Sequence, residues 1–229
     1  SQKEAYMDGA GLNQNQIQEV KNKLGLSDDI NKSSVNGDDC QKYLGYKAED
    51  YNMISSVSVK KLPKGSGIKV EILTPENITS ITQSQYTNAA ITSGITDAEI
   101  KVASPTKVTG ESALVGVYKA IEMYGEKVNT QSTQTAQEEL GTLKKISEEN
   151  ENKESFDKDK LDQAVAEVKQ NLKDYKDKNG QTADSEQIQI FIKDALNNVN
   201  MGDILSNNNS LLNLTSFYKR FVFIPHMSI

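Results

Sequence analysis

The sequence predicts an α+β protein, in which a small sheet covered by helices is followed by an antiparallel helical region. Two runs that alternate apolar and polar residues, 53–60 and 68–73, indicate strands. Apolar residues recur at three- and four-residue steps on both sides of these runs, which is typical of amphipathic helices. After Lys127 only the helical spacing remains. We therefore expect an α+β domain over residues 1–127 and a helical domain or extension over 128–229.

Two helices are predicted before the strands. The first covers residues 12–24, where four apolar residues share one face and Gly25 provides a C-terminal stop. The second covers residues 38–44 and ends at Gly45. These helices place apolar faces beside the predicted sheet.

The two alternating runs predict a β-hairpin, because the Pro- and Gly-containing segment LPKGSG joins them directly. A helix over residues 81–93 and a third strand ending before Pro105 follow. The next segment predicts a strong helix with Thr109 as its N-cap and Glu111 in its first turn. The order is thus two helices followed by ββαβα.

Four apolar patterns predict helices in the second part of the chain, with polar connections between them. The patterns show no repeated unit of fixed length. Their ranges are 136–146, 156–175, 188–199 and 210–220.

Composition and charge narrow the classes of function. The net charge of −6 argues against a nucleic-acid partner, because a chain with a net negative charge does not attract a phosphate backbone. No apolar run is long enough for a membrane span. The chain opens on Ser1 without a methionine, so we expect that a signal peptide has been removed. Cys40 is the only cysteine and cannot form an intrachain disulfide.

One segment suggests a degenerate EF-hand-like calcium site. Aligning Gly180 with loop position 6 places Asp177, Asn179 and Glu186 at positions 3, 5 and 12, where oxygen ligands occur. Position 1 lacks a carboxylate. The alternative interpretation is that Asn179 and Gly180 end one helix, while Asp184 or Ser185 caps the next. The alternative is favoured, and the three oxygen-bearing residues stay as candidate calcium ligands.

A second candidate site is the start of the helix after Pro105. Thr109, Gly110, Glu111 and Ser112 follow a strand and open a helix, whose free N–H groups could hold a ligand. The alternative is that these residues only cap the helix. No catalytic residue is predicted: the paired acids are adjacent in sequence, and tryptophan platforms for sugar chemistry are absent.

A family resemblance adds to this interpretation. The stretches GSGIKVEI and YTNAAITSGITDAEIKVASPTKVTGESALVGVYKAIE resemble bacterial extracytoplasmic proteins catalogued as domain of unknown function 1002, also called YpuA-like proteins. The resemblance is most specific over residues 65–124. Such proteins typically carry a signal peptide and occur mainly in Gram-positive bacteria, so it implies an extracellular or cell-wall-associated protein. It implies no cofactor and no site residue. The ending RFVFIPHMSI departs from the family pattern.

The leading hypothesis is a secreted or cell-surface binding protein without enzymatic activity, whose partner is a cell-wall polymer or an envelope protein. One alternative is a hydrolase of cell-envelope polymers that uses an unidentified pair of acids. A second alternative is a structural homodimer, because the apolar stripe from Phe156 to Tyr175 is narrow, like a coiled-coil seam. Tyr6, Tyr43, Tyr46 and Tyr51 cluster near the N-terminal helices and the first predicted strand, where they could line a recognition surface. The favoured alternative is that they are half-buried, with their hydroxyls in water.

Overall fold

A computed structural model describes residues 4–206 and 208–221, and the chain divides into two units. The first unit is Ser1–Gln134 and contains a sheet with helices. The second unit is Thr135–Ile229 and is helical where it is described. The predicted α+β class is confirmed.

The sheet has five strands and mixed direction. Its order is β2-β1-β3-β5-β4, with β1 parallel to β2, β4 parallel to β5, and β3 antiparallel to both of its neighbours. The carboxyl ends of β1, β2, β4 and β5 therefore lie at the same end of the sheet, where β3 begins. The strands are β1 (Glu4–Gly9), β2 (Ile30–Val35), β3 (Ser56–Lys61), β4 (Ile68–Ile72) and β5 (Ala98–Ala103).

The described residues form eight α-helices, in the predicted order. The N-caps of α1, α2 and α3 each form a capping box, and α1 and α2 end at glycines in the left-handed conformation. The helices are α1 (Gln14–Leu24), α2 (Gly37–Leu44), α3 (Gln83–Thr92), α4 (Glu111–Met123), α5 (Thr130–Asn150), α6 (Lys158–Asn179), α7 (Ser185–Asn198) and α8 (Asn208–Phe221).

The predicted β-hairpin is wrong, because β5 lies between β3 and β4. The connecting turn packs against the start of β5 instead of closing a hairpin. Gly67 donates its N–H to the Asp97 carboxylate at 2.7 Å, and Leu62 donates to the Asp97 carbonyl at 3.2 Å. Because β4 and β5 are parallel, α3 serves as the crossover between them.

The two faces of the sheet are covered by different helices. On one face α4 packs closely, since a Cβ on Gly116 would lie 2.5 Å from Val57 Cγ1 and 3.2 Å from Met7 Cβ. On the other face Tyr6 and Ala103 form a cluster with apolar residues of α1 and of the segment before it. The sheet is thus a middle layer between helices.

The helical unit has its own apolar core. The predicted stripe of α6 is buried there: Leu161, Val168 and Leu172 pack with residues of α5, α7 and α8. The stripe therefore belongs to an intramolecular core, and the seam predicted for a homodimer is occupied. Within the divergent ending, Arg220 and Phe221 complete α8. Residues 222–229 lie outside the described part of the chain.

A buried charged group lies inside this core. Glu139 accepts from Lys169 Nζ at 2.5 Å through one carboxylate oxygen, and from the Tyr218 hydroxyl at 2.9 Å through the other. All three side chains belong to buried residues. The triad joins α5, α6 and α8 with hydrogen bonds to both oxygens of the carboxylate.

Among the described residues, no helix combines the length and apolar character needed to cross a membrane.

Candidate functional site

A pocket of about 460 Å³ lies in the first unit, at the end of the sheet that holds the carboxyl ends of four strands. Two segments line it: the 46–55 loop, which leads into β3, and residues 108–112, which lead into α4. In open sheets with parallel strands, ligands bind outside the carboxyl ends of the strands. The volume falls within the range of about 300–1,000 Å³ for small-molecule sites.

Two glycines position the 46–55 loop: Gly9 at the end of β1 and Gly37 at the start of α2. A Cβ on Gly37 would overlap the Ala48 carbonyl oxygen, and a Cβ on Gly9 would overlap that of Met53. Hydrogen bonds add to this close approach, because Gly37 donates its N–H to Asp50 Oδ1 at 2.8 Å. The loop thus packs against the end of β1 and the start of α2, through approaches that leave no room for a Cβ.

The start of α4 differs from the prediction. Gly110, not Thr109, is the N-cap residue, and it adopts a left-handed conformation with φ of 111°. The Thr109 hydroxyl donates instead to the Glu111 carboxylate. The Tyr86 hydroxyl holds Gly110 in place by donating to its carbonyl at 2.8 Å. Glycine has no side chain to cap the helix, so the cap must come from another element.

That cap is Ser55, which precedes β3. The Ala113 N–H of α4 donates to Ser55 Oγ at 2.8 Å. The neighbouring Ser112 hydroxyl is buried, with 5% of the residue exposed, and has no hydrogen-bond partner among the described residues. Since Ser112 lines the pocket, a ligand could supply the hydrogen bond that this hydroxyl lacks.

All four residues predicted at this helix start line the pocket. Sequence reasoning missed the loop that faces them, although it singled out its tyrosines. Tyr46 and Tyr51 are exposed, by 42% and 70%, and only Tyr46 lines the pocket. Tyr6 and Tyr43 are buried in the interior. Of these four tyrosines, only the two in the 46–55 loop are exposed.

Charge in the pocket is predominantly negative. Its lining includes Glu49, Glu111 and one lysine, Lys47. Nearby, burial raises the pKa of the Cys40 thiol, although a hydrogen bond with Tyr46 opposes this effect. The raised pKa favours the protonated form of the Cys40 thiol.

The calcium candidates lie in helix ends. Asp177 and Asn179 belong to the last turn of α6, and Glu186 to the first turn of α7. Gly180 is the left-handed C-cap of α6, and Asp184 caps α7 by accepting from Gln187 N–H at 2.8 Å. This is the capping arrangement. The described residues contain no group of three acidic, histidine or cysteine side chains placed to hold a metal ion.

A further polar cluster lies on the sheet face that α1 covers. Asp8 is buried, and burial raises the pKa of its carboxyl, with Lys32 opposing the rise. Tyr6 and Ser58, directly opposite each other in β1 and β3, have hydroxyls without hydrogen-bond partners in the described residues. Sequence reasoning missed this cluster because it did not predict β1.

Comparisons with known proteins agree with the resemblance. A Bacillus subtilis (strain 168) protein described as uncharacterized protein YpuA is 30% identical over 213 residues, which cover 90% of this chain and 68% of that protein. No solved structure matches the chain significantly. The family described as protein of unknown function (DUF1002) matches residues 8–221. The chain therefore belongs to the DUF1002 family.

Proposed function

We propose that this is a non-enzymatic binding protein, secreted or held at the cell surface, whose pocket binds a short polar segment of a cell-wall polymer or of an envelope protein. The observation that carries the proposal is the pocket at the strand ends with the buried, unpartnered Ser112 hydroxyl. A buried hydroxyl without a partner is costly, so its presence in a pocket indicates a ligand that completes it.

The lining supports a polar ligand. Tyr46 is a partly exposed aromatic residue of the lining, and Asn52, Glu49 and Ser112 provide hydrogen-bonding groups. An aromatic ring beside polar groups suits a ligand that has one apolar face and one face with hydrogen-bonding groups. Segments of sugar polymers and extended peptides both have this character.

The test is co-sedimentation of the purified protein with purified cell-wall sacculi. We expect wild type in the pellet, and Tyr46→Ala mostly in the supernatant. Tyr51→Ala is the matched control, because Tyr51 lies in the same loop but outside the pocket lining. Equal retention of the two variants would contradict a role for the pocket. Wild type remaining in the supernatant, together with no capture of an envelope protein that depends on Tyr46, would contradict the proposal.

One observation favours a second candidate, a hydrolase of envelope polymers. The pocket contains two carboxylates, Glu49 and Glu111, and glycoside hydrolysis uses two acids on either side of the scissile bond. Under this hypothesis the protein would release soluble fragments from sacculi, and Glu49→Gln and Glu111→Gln would each stop the release. Retention of the protein on sacculi, without release of soluble fragments, supports the binding protein instead.

A further inference from the structure

We infer that the pocket selects an amine-bearing sugar unit, in which a protonated amine meets the carboxylate of Glu111. The inference rests on the proposed function, since it names the class of ligand for the same pocket. It follows from three features of the lining: its unpaired carboxylates, its unfilled hydroxyl and its partly exposed tyrosine.

The first feature is negative charge without a counter-ion. Glu111 accepts from the Thr109 hydroxyl, and no lysine or arginine of the described residues pairs with it. Glu49 likewise forms no ion pair there. An anionic ligand would be repelled by both carboxylates, whereas an ammonium group would form a charge-assisted hydrogen bond. Lys47 is the one lysine in the lining, so the two carboxylates leave a net negative charge that favours a cation over an anion.

The second feature is the Ser112 hydroxyl. It is buried at the start of α4, where the N–H groups of Glu111 and Ser112 have no acceptor in the described part of the chain. A ligand hydroxyl accepts from such donors and donates to a carboxylate. A ligand that carries both hydroxyls and an amine thus matches the donors and the acceptors of this helix end.

The third feature is Tyr46, a partly exposed residue that lines the pocket beside these polar groups. The face of an aromatic ring is electron-rich and attracts cations and the C–H groups next to them. A sugar ring that bears an ammonium group presents both. Free amino acids and simple amines would leave this platform largely unused.

The experiment is calorimetric titration of the full chain with glucosamine oligomers and with N-acetylglucosamine oligomers of the same length. We expect the glucosamine oligomer to bind about tenfold more tightly or better, the size of one charge-assisted hydrogen bond. Glu111→Gln should remove this preference. Glu76→Gln should keep it, because Glu76 is exposed, lies outside the pocket and changes the net charge equally. This control separates pocket binding from general attraction of a polycation.

Circular dichroism of each variant checks that it folds. If Glu111→Gln does not fold, Glu49→Gln provides the second test within the pocket. Equal affinity for the two oligomers, or a preference that survives both substitutions, would overturn the inference. Retention on sacculi that depends on Tyr46, combined with no preference for the amine, would overturn the inference and leave the proposed function standing. Amine-dependent binding without retention on sacculi would do the reverse.

Discussion

The two units treat their buried carboxylates differently. In the helical unit, both oxygens of Glu139 accept hydrogen bonds from buried partners, Lys169 and Tyr218. In the α+β unit, Asp8 Oδ2 has no hydrogen-bond partner and lies 3.5 Å from the half-exposed Lys32 Nζ. The helical unit uses its buried charge to fix how three helices pack. The α+β unit contains buried polar atoms without hydrogen-bond partners near the strand ends, which is where a binding site is expected.

The largest effect should come from breaking the triad. Lys169→Met leaves the Glu139 carboxylate buried without its cation, so we expect the free energy of unfolding to fall by about 3–5 kcal/mol. Lys173→Met, one turn later on the exposed side of α6, is the control and should change stability little. Urea unfolding followed by circular dichroism measures both. Similar losses in the two variants would show that the triad contributes no specific stability.

The seat of the 46–55 loop should be the next most sensitive feature. Gly37→Ala places a Cβ against the Ala48 carbonyl, and overpacking of this kind costs about 1–3 kcal/mol. Gly141 has open space around a Cβ and lies in α5, so Gly141→Ala should instead stabilise by about 0.5–1 kcal/mol. Thermal unfolding compares them. A neutral Gly37→Ala would contradict the close seating of the loop.

The two serines at α4 separate stability from binding. Ser55→Ala removes the helix cap, which should cost about 1 kcal/mol. Ser112→Ala removes a hydroxyl without a partner, so stability should be unchanged or slightly higher, while retention on sacculi falls. Chemical unfolding and co-sedimentation of both variants provide the measurement. If Ser112→Ala destabilised as much as Ser55→Ala, the hydroxyl would have a structural role and not be free for a ligand.

The smallest effect concerns Asp8 and pH. Burial raises the pKa of its carboxyl, so the folded state binds the proton more tightly than the unfolded state. The stability from this group is therefore complete below the unfolded pKa and is lost as pH rises through the folded pKa. Asp8→Asn cannot ionise, so its stability relative to wild type should increase over that range, by on the order of 1 kcal/mol. Unfolding at several pH values, with Glu76→Gln as control, tests this; a flat difference would contradict it.

Local signals predicted local structure well. The glycine and aspartate at 180 and 184 end α6 and begin α7 as expected, because caps are determined by neighbouring residues. The strand pairing was not predictable in this way. β2 is largely exposed and lacks alternation, and β5 separates β3 from β4 through contacts distant in sequence.

The candidate site was half predictable for the same reason. Residues 109–112 open a helix, which the sequence indicates directly. The 46–55 loop joins them because its backbone packs closely against Gly9, at the end of β1, and Gly37, at the start of α2. Ser55 reaches α4 from 58 residues away and takes over the capping role predicted for Thr109. Such arrangements depend on the assembled sheet, and no local pattern reports them.

The most direct test of a binding site at the strand ends is hydrogen–deuterium exchange of the full chain, with and without solubilised cell-wall fragments. A site there predicts slower exchange in the 46–55 loop and at residues 108–112, where backbone N–H groups at the start of α4 meet the ligand. It predicts no change in α6, α7 and α8. Protection confined to those three helices, or no protection anywhere, would contradict a binding site at the strand ends of the α+β unit.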